Sequence, residues 1–123
     1  MIYIPIIIPN TQRNVKHTKK RYVIEEDFEY KGFQCCVILQ REGYRCGYVN
    51  VGRTSLKGKD CDDIGIGGFT YANQTLVGHK KSPTDWWIGW DYAPYGDGYI
   101  YSQYDVKRDC MNVVEQLLVV GVK

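Results

Sequence analysis

Between Tyr22 and Tyr30 apolar and polar side chains alternate: Tyr22, Ile24, Phe28 and Tyr30 fall on one parity, and Glu25, Asp27 and Glu29 on the other. A period of two is the signature of a half-buried strand. Lys31-Gly32 then makes a short turn, and Phe33–Gln40 (FQCCVILQ) is a strongly apolar run. Arg41-Glu42-Gly43 supplies the next turn, where Gly43 can take the positive φ that a tight hairpin needs. Tyr44–Val51 returns antiparallel, so the three runs predict a β-meander. Gly52–Gly65 is a polar loop carrying both charge signs.

Further strands are expected at Gly67–Ala72 and Asp85–Asp91, joined by a flexible polar loop over 73–84. In the second of these Trp86, Ile88 and Trp90 share one face, and Trp87, Gly89 and Asp91 the other. The run Pro94-Tyr95-Gly96-Asp97-Gly98 is a dense turn signal. Only near the end does the period change. Val106, Cys110, Val113 and Leu117 fall at helical spacing, widened by Val114 and Leu118, with Asp105 placed to cap the start and Gly121 to end it. One amphipathic helix behind an antiparallel sheet of five to seven strands buries both apolar faces, which predicts an α+β fold. The first residues, Ile2–Ile8, are apolar and β-branched, but Pro5 removes a ladder donor, so they suit an edge or an intersubunit strand. The chain of 123 residues is therefore read as one domain, 1–20 being a strand and arm and 21–123 the sheet and helix.

Composition changes this picture in three ways. Eleven tyrosines and three tryptophans exceed average usage, and all three tryptophans lie with six of the thirteen glycines between Gly67 and Gly98. Large aromatics beside backbone-permissive residues suit a recognition surface as well as a core. A net charge of +2 is too small to imply nucleic-acid binding; the one basic cluster, Lys16 to Arg21, reads as a solvated turn. Five cysteines, two of them adjacent (Cys35, Cys36), include no C-x-x-C pair, and His17 and His79 stand apart. That argues for a reducing cytosol and against a disulfide framework or a spaced zinc motif. Met1–Pro9 is too short and too proline-broken for a signal peptide or a membrane span.

Catalytic signatures are missing. There is no G-x-S-x-G, H-E-x-x-H, P-loop or Rossmann fingerprint, and Asp60, Asp62 and Asp63 do not follow the calcium-loop pattern. No nucleophile, base and orienting group fall into a set, so a non-enzyme with no metal and no cofactor is expected. Binding chemistry is better represented. Phe69, Tyr71, Trp87 and Trp90 are candidates to stack on a flat ring. Arg45 and Arg108, with Arg41 and Arg53, offer planar forks for phosphate oxygens, and Arg108 lies in the first turn of the expected helix. Asn50 and Asn73 carry paired donor and acceptor groups for a base edge. Asp91 completes the candidate ligand-binding set.

Four blocks carry a resemblance: Tyr30-Lys31-Gly32-Phe33-Gln34-Cys35, Tyr44-Arg45-Cys46-Gly47-Tyr48-Val49, Gly67-Gly68-Phe69-Thr70-Tyr71, and Trp87-Ile88-Gly89-Trp90-Asp91-Tyr92-Ala93-Pro94-Tyr95-Gly96-Asp97. Over roughly Phe28 to Leu118 the chain resembles small phage-encoded proteins, a group that includes the first anti-Thoeris (Thoeris anti-defence) family. In that group the last two blocks usually read H-G-G-L-T-Y and W-x-I-G-F-D-C-A-H-x-G-D. This chain departs at Ile66, Tyr92 and Pro94, where the pattern has histidine, cysteine and histidine. The resemblance implies a sponge that binds a cyclic ADP-ribose immune signal without cleaving it, in the cytoplasm of an infected bacterial host. It also implies a homodimer or higher homo-oligomer, with cyclic oligonucleotides as further ligands and no DNA, RNA or membrane partner. Two other classes stay open on the residues alone: a protein-binding inhibitor of a host defence system, and a small nucleotide-processing enzyme.

Overall fold

A computed structural model describes residues 22–65, 68–92 and 101–121. The expected N-terminal strand and arm, Ile66 and Gly67, and the Pro94–Gly98 turn lie outside the described residues. Five strands form one antiparallel sheet: β1 (Tyr22–Tyr30), β2 (Phe33–Gln40), β3 (Arg45–Asn50), β4 (Tyr71–Asn73) and β5 (Trp87–Asp91). Their order is β1-β2-β3-β5-β4, so the meander occurs as expected and β5 inserts between β3 and β4. Among the described residues one α-helix, α1 (Gln103–Val119), packs behind it. The protein is α+β.

The turns explain the meander. Lys31 and Gly32 both have positive φ (49° and 87°), which matches the twist of the flanking strands in a two-residue hairpin. Gly43 at φ 104° makes the second reversal. Helix α1 is capped by Ser102 rather than Asp105. The Ser102 hydroxyl accepts from the Asp105 amide, and the Asp105 carboxylate accepts from the Ser102 amide, a reciprocal capping box. Asp105 is the third helical residue of that box, so its capping role survives one turn inside. At the other end Gly121 (φ 76°) follows the last helical turn, as expected.

Strand β1 departs from simple alternation. Ile24 pairs with Ile38 and Glu26 with Val37, so Glu25 is an extra residue, a β-bulge. Beyond it the parity flips. Tyr22 and Ile24 pack on one face of the sheet, while Phe28 and Tyr30 pack on the other. The expectation that these four share a face fails for that reason. Arg45 holds the bulge: buried at 0% exposure, it donates from Nε and Nη2 to the Glu25 carboxylate at 2.7 and 3.1 Å. Its Nη1 donates to the Tyr101 carbonyl at 3.1 Å, just before α1.

Both faces of the sheet are covered. On the first, Cys35, Val37, Val49 and Ile88 meet Val106, Cys110, Val114 and Leu117 of α1, with Leu56 and Ile64 of the 52–65 loop closing the core. That helical stripe differs from the expected one at its margins: Val114 is buried, Val113 is half-buried and Leu118 is exposed. On the second face Cys36, Ile38, Cys46, Tyr48 and Trp87 are covered by the loop between β4 and β5, through Leu76. The 73–84 segment is therefore a packed layer, fixed by bonds such as Gln74 Nε2 to the Ser82 carbonyl at 3.0 Å. Among the described residues no helix is long and apolar enough to cross a membrane.

Candidate ligand groove

Two glycines on the central strands decide where the aromatics stand. Gly47 pairs with Trp90 across β3 and β5, and a Cβ on Gly47 would fall 2.5 Å from the Trp90 ring. The ring lies over that bare backbone. Next along the ladder Gly89 is covered by Tyr48, on the opposite face. Glycine thus admits a large ring to close cross-strand contact at each step. Trp90 is thereby held on the helix side, where its edge meets Phe69 with ring centroids 5.9 Å apart at 63°.

Phe69 and Trp90 form one wall of a groove of about 340 Å³ between the sheet and α1. Asp109, Asn112, Val113 and Gln116 of the helix form the other, and Gly68, Asp91 and Tyr92 close the end. The three polar helix residues fall at one-turn spacings, so they share a stripe flanking the buried one. A bonded chain runs across the floor: Trp90 Nε1 donates to the Tyr92 hydroxyl at 3.0 Å, and that hydroxyl donates to the Asp109 carboxylate. Burial, and after it the bond to Asp109, pushes the Tyr92 phenol well above its usual range. It stays a neutral donor at physiological pH. Thr70 Oγ1 donates to Asp91 at 3.3 Å. Among the described residues lining the groove there are two carboxylates and two carboxamides, and no lysine or arginine.

Three of the nine candidate ligand-binding residues, Phe69, Trp90 and Asp91, come together here. Arg108 is on α1 with a half-exposed side chain 3.7 Å from Asp105, beside the groove residue Asp109 in sequence but not in the lining. The other five have structural partners. Arg45 is the buried clamp on Glu25. Trp87 is 1% exposed on the second face. Tyr71 stands edge-on to Tyr48 there, and its hydroxyl donates to the Thr75 carbonyl. The Asn73 carboxamide oxygen accepts from the Thr75 amide, closing a turn. Asn50 ties two loops, accepting from the Gly52 and Trp86 amides at 3.0 Å each and donating to Asp85 at 2.9 Å. It also borders a second, smaller hollow of about 200 Å³ with Arg53 and Thr54. Sequence reasoning missed Tyr92, Asp109, Asn112 and Gln116, although the polar spacing along α1 carried the signal for the last three.

Thiol chemistry is disfavoured at the described cysteines of the core. Burial raises the Cys35 thiol to about 12 and pushes Cys36, Cys46 and Cys110 up as well, so without a metal ion to displace the proton none is a ready thiolate. The five cysteines form no disulfide. Comparison with protein-family models, with curated proteins and with solved structures finds no match.

Proposed function

We propose that this protein binds and sequesters a cyclic ADP-ribose-type nucleotide signal, without degrading it, through the groove between β5 and α1. The observation that carries the reading is the Phe69–Trp90 corner set against a wall of carboxylates and carboxamides. Stacking of a base on such rings is worth ~1–3 kcal/mol per base. Asp91 and Asp109 suit ribose hydroxyl donors, while Asn112 and Gln116 offer both donors and acceptors to a base edge. A volume of about 340 Å³ lies at the lower end for small-molecule sites and suits the nucleoside part of such a ligand.

The pyrophosphate calls for cations that this lining does not supply. The exposed guanidinium of Arg108 is the nearest candidate by sequence, and a second copy of the chain is another source. Nanomolar affinity, about −12 kcal/mol, requires more than one open wall. The 73–84 loop packs on the opposite face, so it does not close the groove. A homo-oligomer in which a neighbouring subunit closes it is part of this proposal.

The test is uptake and release. The protein is incubated with cyclic ADP-ribose isomers, separated from free ligand, heat-denatured, and the supernatant assayed. Intact ligand is the expected result; altered ligand means a processing enzyme, and no uptake leaves the protein-binding inhibitor. Phe69→Ala and Trp90→Ala should each weaken uptake by about tenfold or more, in line with the stacking energy. Unchanged uptake in both would remove the groove as the site.

A further inference from the structure

The second face of the sheet carries a cluster that the groove does not use. Asp27 and Cys36 are direct partners across β1 and β2, and His79 descends on them from the loop between β4 and β5. One ligand atom from each of the three lies within 4.8 Å of the others. The bulge at Glu25 makes this possible, because it puts Asp27 on the same face as Ile24. Gly78, at φ 74°, carries the chain over Tyr22 and Ile24 into His79.

The ring's bonding is unusual. Nδ1 is 3.0 Å from the Val77 carbonyl oxygen and Nε2 is 3.0 Å from an Asp27 carboxylate oxygen. Both facing atoms are acceptors. A neutral imidazole has one donor, so with Nδ1–H given to Val77 the Nε2 lone pair would point at a negative oxygen. In that tautomer a metal ion between Nε2 and the carboxylate satisfies both. Nδ1–H on a backbone carbonyl is the arrangement that orients a metal-binding histidine through its other nitrogen. Cysteine-protease geometry is not met, because neither ring nitrogen remains for the thiol.

We propose that Asp27, Cys36 and His79 bind a Zn²⁺-class divalent ion. One thiolate, one imidazole and one carboxylate form a borderline-soft set that suits Zn²⁺ or Co²⁺ and excludes Ca²⁺ and Mg²⁺, which take oxygen ligands. Tetrahedral Zn²⁺ with these bond lengths separates nitrogen and oxygen ligands by about 3.3 Å, against 3.0 Å here, and sulfur from either by about 3.6 Å, inside the 4.8 Å that bounds the three atoms. Binding releases the Cys36 thiol proton and any proton held between His79 and Asp27. Three protein ligands leave a fourth position for water, reached from the Asp27 side, where that side chain is 45% exposed. The ion would clasp the 74–86 loop to the sheet. This inference stands apart from the groove, on the other face.

The reduced full-length protein is titrated with Co²⁺ near neutral pH. The expected result is a thiolate-to-cobalt charge-transfer band, saturating at one equivalent and displaced by Zn²⁺. Asp27→Asn and His79→Gln should each weaken binding by about tenfold or more with the far-UV dichroism unchanged. Cys36→Ser should abolish the band. Cys61→Ser, at the partly exposed thiol, should leave it intact. A missing band in the wild type, a band insensitive to both Asp27→Asn and His79→Gln, or a band lost with Cys61→Ser overturns the proposal.

Discussion

At the scale of single residues, glycines and one arginine do more than the aromatic count suggests. Gly47 is the seat of the Trp90 ring, and Ala at that position brings a Cβ to 2.5 Å from it. Gly47→Ala should destabilise by about 1–3 kcal/mol through overpacking and tilt Trp90 away from Phe69. Denaturant midpoints measure the first effect, and loss of ligand uptake with the fold retained measures the second. Phe69 and Trp90, marked as candidates in the sequence by the glycines and aromatics around them, do come together at the groove. Arg45 and Trp87 have the same chemistry in one dimension but different partners in three. What separates them is a carboxylate twenty positions away in one case and a covering loop in the other.

At the scale of elements, the meander could be read directly, since apolar runs were bounded by turn residues with the right φ. The bulge could not. Tyr22, Ile24, Phe28 and Tyr30 keep one parity in sequence, and only the Arg45–Glu25 pair, both members at or below 5% exposure, shows why the strand kinks. Breaking such a pair leaves a buried charge. Arg45→Met should therefore cost about 3–5 kcal/mol, and the double variant with Glu25→Gln should recover part of it. Chemical denaturation of the four proteins closes that cycle; equal stability of Arg45→Met and wild type would show that the clamp carries no weight. The Asp27–Cys36 pairing was implicit too, because the two-residue turn at Lys31-Gly32 sets it. His79 was not, as its approach depends on how an irregular loop folds back.

At the scale of the whole molecule, a thin sheet is buried on both sides by unlike layers, a helix and a loop. The helix side encloses Cys35 and Cys110, both at 0% exposure. Their folded pKa values lie above the ordinary 9.0, Cys35 at about 12 and Cys110 further up, because burial penalises the thiolate. The sign follows. Above pH 9 the unfolded thiols lose protons that the folded ones keep, so stability is full below that pH and falls as pH rises. Each such thiol adds about 1.4 kcal/mol per pH unit to the slope above pH 9, and the buried Cys36 and Cys46 add in the same direction. Midpoints measured in reducing buffer across that range check it, and a flat profile would contradict it. At the acid end, bonds from Lys31 and then Tyr30 lower the Glu115 carboxyl, so its contribution is present at neutral pH and lost as pH falls through the folded value.

Among the described residues strand β1 pairs with one strand, β2, and so forms an edge of the sheet. A straight nine-residue edge of that kind invites a stranger's strand to dock and propagate. The bulge at Glu25 interrupts the row of amides partway along, and Glu26, Asp27 and Glu29 add like charge that any incoming copy of β1 would have to face. The residue that breaks the sequence pattern thereby also works against edge-to-edge pairing of two copies.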